Sequence, residues 1–223
     1  MTKIKWFGHA CFLIEVAGKK VLIDPWLNDN PKSPIKASDL TDINFVCVSH
    51  DHVDHIGDAV EICKRTEAVF VSIYDLVAQV EKKGVKNTLG MNIGGRVKVG
   101  DIYFTLIQAF HSSGVGSPTG FVIEGEGKSF YHAGDTGLFG DMKLIGELYK
   151  PKVAMLPIGG YYTMGPREAS IATELIKPEI VIPMHYGTFP VLVQSADEFV
   201  KLVRERCPDV RVIVLNPGEE IVV

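Results

Sequence analysis

Short apolar runs separated by polar, glycine-containing breaks recur along this chain, and their spacing predicts most of its elements. Residues 4–7, 11–16 and 20–24 read as three short strands, the last two joined by an Ala17-Gly18-Lys19 turn. Residues 25–42 carry Pro25, Pro31 and Pro34 among Asn, Asp and Ser, which predicts a long loop at the rim of a site. A strand follows at 45–48. Ala59, Val60, Ile62 and Cys63 then have the spacing of a short amphipathic helix, starting near Gly57. Residues 68–71 form the next strand. Leu76, Val77 and Val80 predict a helix over 74–83, stopped by Gly84.

Residues 93–110 read as two strands around a Val99-Gly100-Asp101 turn. Strands at 120–124 and 128–133 are joined by Gly125-Glu126-Gly127. A helix over 142–150 and a buried strand over 153–157 come next. Pro166 then opens a helix whose apolar face carries Ala169, Ala172, Leu175 and Ile176, and Lys177-Pro178 ends it. A strand at 180–183, a helix at 196–206 and two closing strands complete the chain. Hairpins mixed with strand–helix alternation in both halves predict an α/β fold, with two mixed sheets face to face and helices on their outer faces. At 223 residues, with no visible linker or repeat, the chain reads as a single domain over 1–223.

Composition narrows the function. Hydrophobic residues make up 46% and charged residues 22%, the balance of an ordinary soluble globular protein. A net charge of −4 supplies no basic footprint, so general nucleic-acid binding is not expected. Cys11, Cys47, Cys63 and Cys207 have no paired spacing, which argues against a zinc knuckle, a disulfide scaffold or a redox motif. No apolar stretch reaches the roughly 20 residues of a membrane span. No signal-peptide pattern opens the chain. A cytoplasmic protein that contacts no membrane is expected.

The chemistry concentrates in one hexapeptide, His50-Asp51-His52-Val53-Asp54-His55, directly after the 45–48 strand. Imidazole and carboxylate are the usual ligands of borderline divalent metals. Alternate residues of an extended loop point the same way, so His50 and His52 can share one ion, while Asp54 and His55, past the turn, can reach a second. Further strands run out into His111, Asp135 and His185. If one edge of the sheets gathers these strand ends, seven ligands meet. Three imidazoles leave a divalent ion with an open position, the catalytic arrangement. Two ions about 3.5–4 Å apart share a hydroxide and lower its pKa toward neutrality. Asp54 is placed to accept the proton of that hydroxide or to orient it.

The H-x-H-x-D-H pattern, the downstream His111, the Gly134-Asp135-Thr136 run and the late strand-end His185 resemble the metallo-β-lactamase superfamily, in order and over the whole chain. Gly8-His9-Ala10, Pro183-Met184-His185-Tyr186-Gly187 and the small size resemble a narrower group, the UPF0173 metal-dependent hydrolases, akin to the ascorbate-phosphate lactonase branch. The resemblance implies a four-layer αββα fold and two divalent ions per chain, zinc or manganese first, iron or nickel also accommodated by the ligand types. Carried over by position, it implies that His50, His52 and His111 hold one ion, that Asp54, His55 and His185 hold the other, and that Asp135 bridges them. It also implies a hydrolase that uses a metal-bound hydroxide on an ester-type bond, phosphodiester or lactone, of a small anionic substrate. β-Lactam-cleaving members often carry Cys where this chain has Asp135, so the resemblance points to the dinuclear hydrolases instead. A dinuclear iron redox protein and a metal-stabilised binding protein without turnover are the competing readings.

Other residues carry weaker signals. His9 and Tyr186 are candidate substrate contacts, with a structural role for His9 equally open. Strand alternation lets His132 point away from the metals or support a ligand from behind, so it is left out of the ligand set. Thr136 is read as a structural partner of Asp135. Asp24, at a strand end, either fixes the tautomer of a ligating histidine or caps a turn. The 159–165 loop ends at a helix N-terminus, which reads either as a place for a substrate phosphate or carboxylate or as an ordinary strand-to-helix turn. Tyr161, Tyr162 and Met164 either wall the substrate pocket or bury against a second copy in a homo-oligomer.

Overall fold

The computed structural model describes residues 1–223 and contains two seven-stranded sheets. The first is built from β1 (Lys3–Trp6), β2 (Phe12–Val16), β3 (Lys19–Ile23), β4 (Phe45–Cys47), β5 (Val69–Ile73) and β6 (Thr88–Met91) in sequential order. The second uses β7 (Arg96–Val99), β8 (Ile102–Gln108), β9 (Thr119–Gly125), β10 (Lys128–His132), β11 (Val153–Pro157), β12 (Ile180–Met184) and β13 (Arg211–Val212), again in order. The last strand, β14 (Glu220–Val222), returns to the first sheet and pairs antiparallel with β1.

Six helices connect them: α1 (Val53–Ile56), α2 (Ala59–Thr66), α3 (Tyr74–Lys82), α4 (Met142–Tyr149), α5 (Pro166–Ile176) and α6 (Asp197–Arg206). α2 and α3 pack on β5 and β6, while α5 and α6 pack on β11 and β13. Between the sheets, the rings of Phe45 on β4 and Phe104 on β8 approach to 5.0 Å. Gly125 on β9 lies so close to β2 that a β-carbon there would meet Val16 at 2.7 Å. A single core cluster of 62 buried residues spans both sheets, so the helices lie outside them, as the hydrophobic pattern predicts. No helix is long and apolar enough to cross a membrane.

Two elements differ from the sequence reading. β6 was not anticipated, because Thr88-Leu89-Gly90-Met91 neither alternates nor forms an apolar run. It is an edge strand, held by parallel pairing to β5 and by packing of α3. A helical turn already begins inside the hexapeptide, ahead of the helix expected from near Gly57. α1 places Asp54 and His55 on one helical turn, ended by Gly57 at φ 35°. A β-carbon at Gly57 would lie 2.5 Å from the Pro25 carbonyl, so only glycine permits this turn to rest on the 25–27 segment.

Strand direction decides where the polar ends go. β10, β11 and β12 are mutually parallel, and β8 is antiparallel to β9, which is antiparallel to β10. β8, β10 and β12 therefore point the same way and deliver the segments after them to one edge. β4 of the other sheet joins that edge where Thr119 N–H donates to the Ser49 carbonyl at 3.0 Å. Ligand sites of α/β proteins form at such carboxyl-terminal strand edges.

Candidate metal centre

All seven residues singled out as ligands meet at this edge. His50 Nε2 lies 2.8 Å from His52 Nδ1, and His111 Nε2 lies 3.3 Å from that same atom. Asp54 Oδ2 is 4.0 Å from both His55 Nε2 and His185 Nε2. Asp135 Oδ2 sits between the two groups, 3.5 Å from His111 Nε2, 3.2 Å from His55 Nε2 and 3.0 Å from His185 Nε2. His50, His55, Asp135 and His185 are buried, while His52, Asp54 and His111 are partly exposed toward a cavity of about 600 Å³.

The electrostatics follow from burial and opposed charges. Burial, reinforced by His55, lowers the His50 pKa to about 3, so the ring is neutral with a lone pair to offer. Burial also opposes charge on His55, but Asp135 and Asp24 on either side outweigh it and raise that pKa well above the ordinary value. Burial alone would raise both carboxylates. The Asp135 pKa is held well below the usual range by His185 and His55, and the Asp54 pKa by the His9 hydrogen bond and His55. Both stay ionised.

The shell around the ligands is hydrogen-bonded. Asp24 Oδ2 takes His55 Nδ1–H at 2.8 Å and the Ser49 hydroxyl at 2.7 Å, and its Oδ1 takes the Ser49 N–H at 2.7 Å. Of the two roles open for Asp24, the geometry shows the orienting one: with Nδ1 bonded to Asp24, Nε2 of His55 faces the centre. Asp51, within the hexapeptide, accepts from Ser113 Oγ at 2.9 Å and Gly114 N–H at 2.7 Å, tying the His50 loop to the His111 loop. His132 is turned away, its Nε2 2.9 Å from the Ala10 carbonyl.

Several expectations require correction. His9 has no exposed surface and cannot touch a substrate. Its Nε2 lies 3.1 Å from Asp54 Oδ2 and its Nδ1 2.7 Å from Thr188 Oγ1, so it orients Asp54. Tyr186 packs on Trp6, ring centroids 5.6 Å apart, and does not line the cavity. Thr136 does not bond Asp135. Its hydroxyl accepts the Phe110 N–H at 3.0 Å, which steadies the segment carrying His111. At the start of α5 the Gly165 N–H is taken by Glu168 of the same helix at 3.2 Å, placing a carboxylate where a substrate anion was one of the two readings. Met164 is buried, whereas Tyr162 does line the cavity.

The sequence reading missed Phe189 and Val191, which line the cavity with Val53, Ser112 and Tyr162. They belong to the segment that follows β12 past His185, and the strand-end rule that found His185 extends to them. Trp26 of the 25–42 loop backs Phe189, ring centroids 5.5 Å apart and nearly parallel, so that loop does reach the rim.

Comparison with known proteins agrees with this geometry. A family model described as a beta-lactamase superfamily domain matches residues 3–185. A UPF0173 metal-dependent hydrolase of Caldivirga maquilingensis is 54% identical over 221 residues, covering 98% of this chain and 97% of its own length. The chain belongs to the UPF0173 metal-dependent hydrolases of the beta-lactamase superfamily. A UPF0173 hydrolase from Methanopyrus kandleri is 52% identical, covering 97% of this chain and 98% of its own. The structure of Igni18, a metallo hydrolase from Ignicoccus hospitalis, superposes with a TM-score of 0.93 at 45% identity, covering 99% of this chain and 97% of that one.

A UPF0173 hydrolase needs a metal, and the residues here fit one. Buried Asp135 Oδ1 has no hydrogen-bond partner, and buried His55 Nε2 and His185 Nε2 meet only Asp135 Oδ2, at 3.2 and 3.0 Å and without aligned hydrogen-bond geometry, although groups this deep are normally paired. Each points among other lone-pair donors, an arrangement that a cation satisfies and that protein hydrogen bonds leave unmet. All four cysteines are buried free thiols and take no part.

Proposed function

We propose that this hydrolase works with two divalent ions and cleaves an ester-type bond, a phosphodiester or a lactone. One observation carries the reading: the Asp135 carboxylate touches nitrogens of both ligand groups, His111 of one and His55 and His185 of the other. His50, His52 and His111 would hold the first ion, Asp54, His55 and His185 the second, with Asp135 shared. When bound, such a pair supplies Lewis acidity that activates water and offsets charge on the reacting oxygen.

The chain's own groups do the rest. Asp54 is ionised, faces the cavity and is held by His9 Nε2, so its free oxygen is positioned to take a proton from attacking water or to orient it. His9 in turn is fixed by Thr188. Phe189 and Val191 cover one side and limit the entry of bulk water.

The test is to strip the protein, reload it with zinc or manganese, count bound ions by elemental analysis, and assay bis(p-nitrophenyl) phosphate beside a panel of lactones. Two ions per chain and metal-dependent turnover on one of these classes are expected. Saturation at one ion, or no metal-dependent turnover on either class, would overturn the proposal. His50→Ala is expected to bind one ion fewer and to lose at least about 100-fold in kcat/KM, no less than the roughly 10–100-fold that follows loss of a group merely supporting a ligand.

A further inference from the structure

We propose that the substrate carries an uncharged, apolar group beside its scissile bond, seated against Val53, Tyr162, Phe189 and Val191. This deepens the reading above and rests on it. The cavity floor is formed by ligand histidines and by Asp54 and Asp135, and no lysine or arginine lines the cavity anywhere. Charge on the reacting group itself is met at that floor. A second carboxylate or phosphate elsewhere on the substrate would meet only Ser112, the Tyr162 hydroxyl and apolar walls, and would lose its hydration without a compensating partner. Any negative charge on the substrate is therefore placed at the reacting group, over the histidine and aspartate floor, and not on the part that meets the walls.

Those walls suit an apolar group. Phe189 is held from behind by the Trp26 ring and from the side by the His9 ring, whose centroid lies 5.5 Å away nearly perpendicular to it. These two contacts fix the orientation of its ring. Val53, Tyr162 and Val191, which line the same cavity, remain 79%, 55% and 52% exposed. Isolated exposed apolar residues are common, but these share one cavity with the ligand cluster, and a bound apolar group would remove their surface from water.

The experiment separates this inference from the metal reading by using ligands that need no turnover. Acetohydroxamate, hexanohydroxamate and glutaric acid monohydroxamate share one metal-binding head and differ only in the tail. Titration calorimetry on the zinc-loaded enzyme is expected to show about two- to fourfold tighter binding per added methylene, the partial-to-full burial range. The acid-tailed compound is expected to bind at least about tenfold more weakly than hexanohydroxamate. Val191→Lys, at a half-exposed position, is expected to narrow or reverse that ratio. Metal-dependent binding of all three without tail preference, or with preference for the acid, overturns this inference and leaves the metal centre standing. Failure of every hydroxamate to bind overturns both.

Discussion

At the scale of single residues, the centre depends on groups that touch no ion. Asp24 is fully buried, yet its carboxylate stays ionised, because His55 beside it outweighs the burial cost. It holds the His55 ring so that Nε2 faces Asp135. Asp24→Asn keeps the shape but removes the charge and puts an amide against Nδ1–H. Affinity for the ion proposed at His55 is expected to fall about 10–100-fold, read by competition with a chromophoric chelator, while the ion proposed at His50, His52 and His111 is expected to stay bound. His9, Asp24 and His185 also adopt left-handed backbone, with φ of 53°, 45° and 56°. Non-glycine residues in that region carry strain and persist only where the surroundings enforce them. Here the His185 N–H donates to the His9 carbonyl at 3.0 Å, so two of the three bends brace each other.

At the scale of elements, two glycines separate stability from function. Gly146 on α4 faces the end of α5, and a β-carbon there would run into the Ile176 carbonyl. Gly57 ends α1 against Pro25 and Trp26 with similar closeness. Each Gly→Ala change is expected to cost about 1–3 kcal/mol as overpacking, or roughly 2–12 °C in Tm for a domain this size. Only Gly57→Ala should also weaken metal binding, because α1 carries Asp54 and His55. Thermal melts paired with metal analysis on both variants distinguish the two effects. Equal metal retention would mean that α1 does not need its present seat to hold the ion.

At the scale of the molecule, the two sheets are joined through the site as well as through the core. The candidate ligands come from the ends of β4 in one sheet and of β8, β10 and β12 in the other, so ions bound there would cross-link the halves. A ligand that binds only the folded chain stabilises it by mass action, about 2.7 kcal/mol at 100 times its Kd. Adding zinc or manganese at that excess to chelator-stripped protein is expected to raise Tm by about 5–11 °C. A matched addition of calcium, which prefers all-oxygen sites, should raise it far less. Equal shifts with all three ions would mean that the histidines are not the ligands.

Most strands and helices, the layer order and all seven centre-forming residues were legible in the chain itself. Their signals are local: apolar runs that end in His or Asp, a proline at a helix start, glycines at turns. β6 escaped because an edge strand is defined by its neighbour and not by its own pattern. The sequence determined which donor types were present and that strand ends would carry them. Only the tertiary structure decided that β8, β10 and β12 run in one direction and bring His111, Asp135 and His185 to the hexapeptide. It alone turned His9 inward, engaged the α5 N-terminus with Glu168 and lined the cavity with Phe189 and Val191 rather than with a basic residue. Those outcomes depend on which backbones approach each other across the core, and spacing along the chain does not encode distances in space.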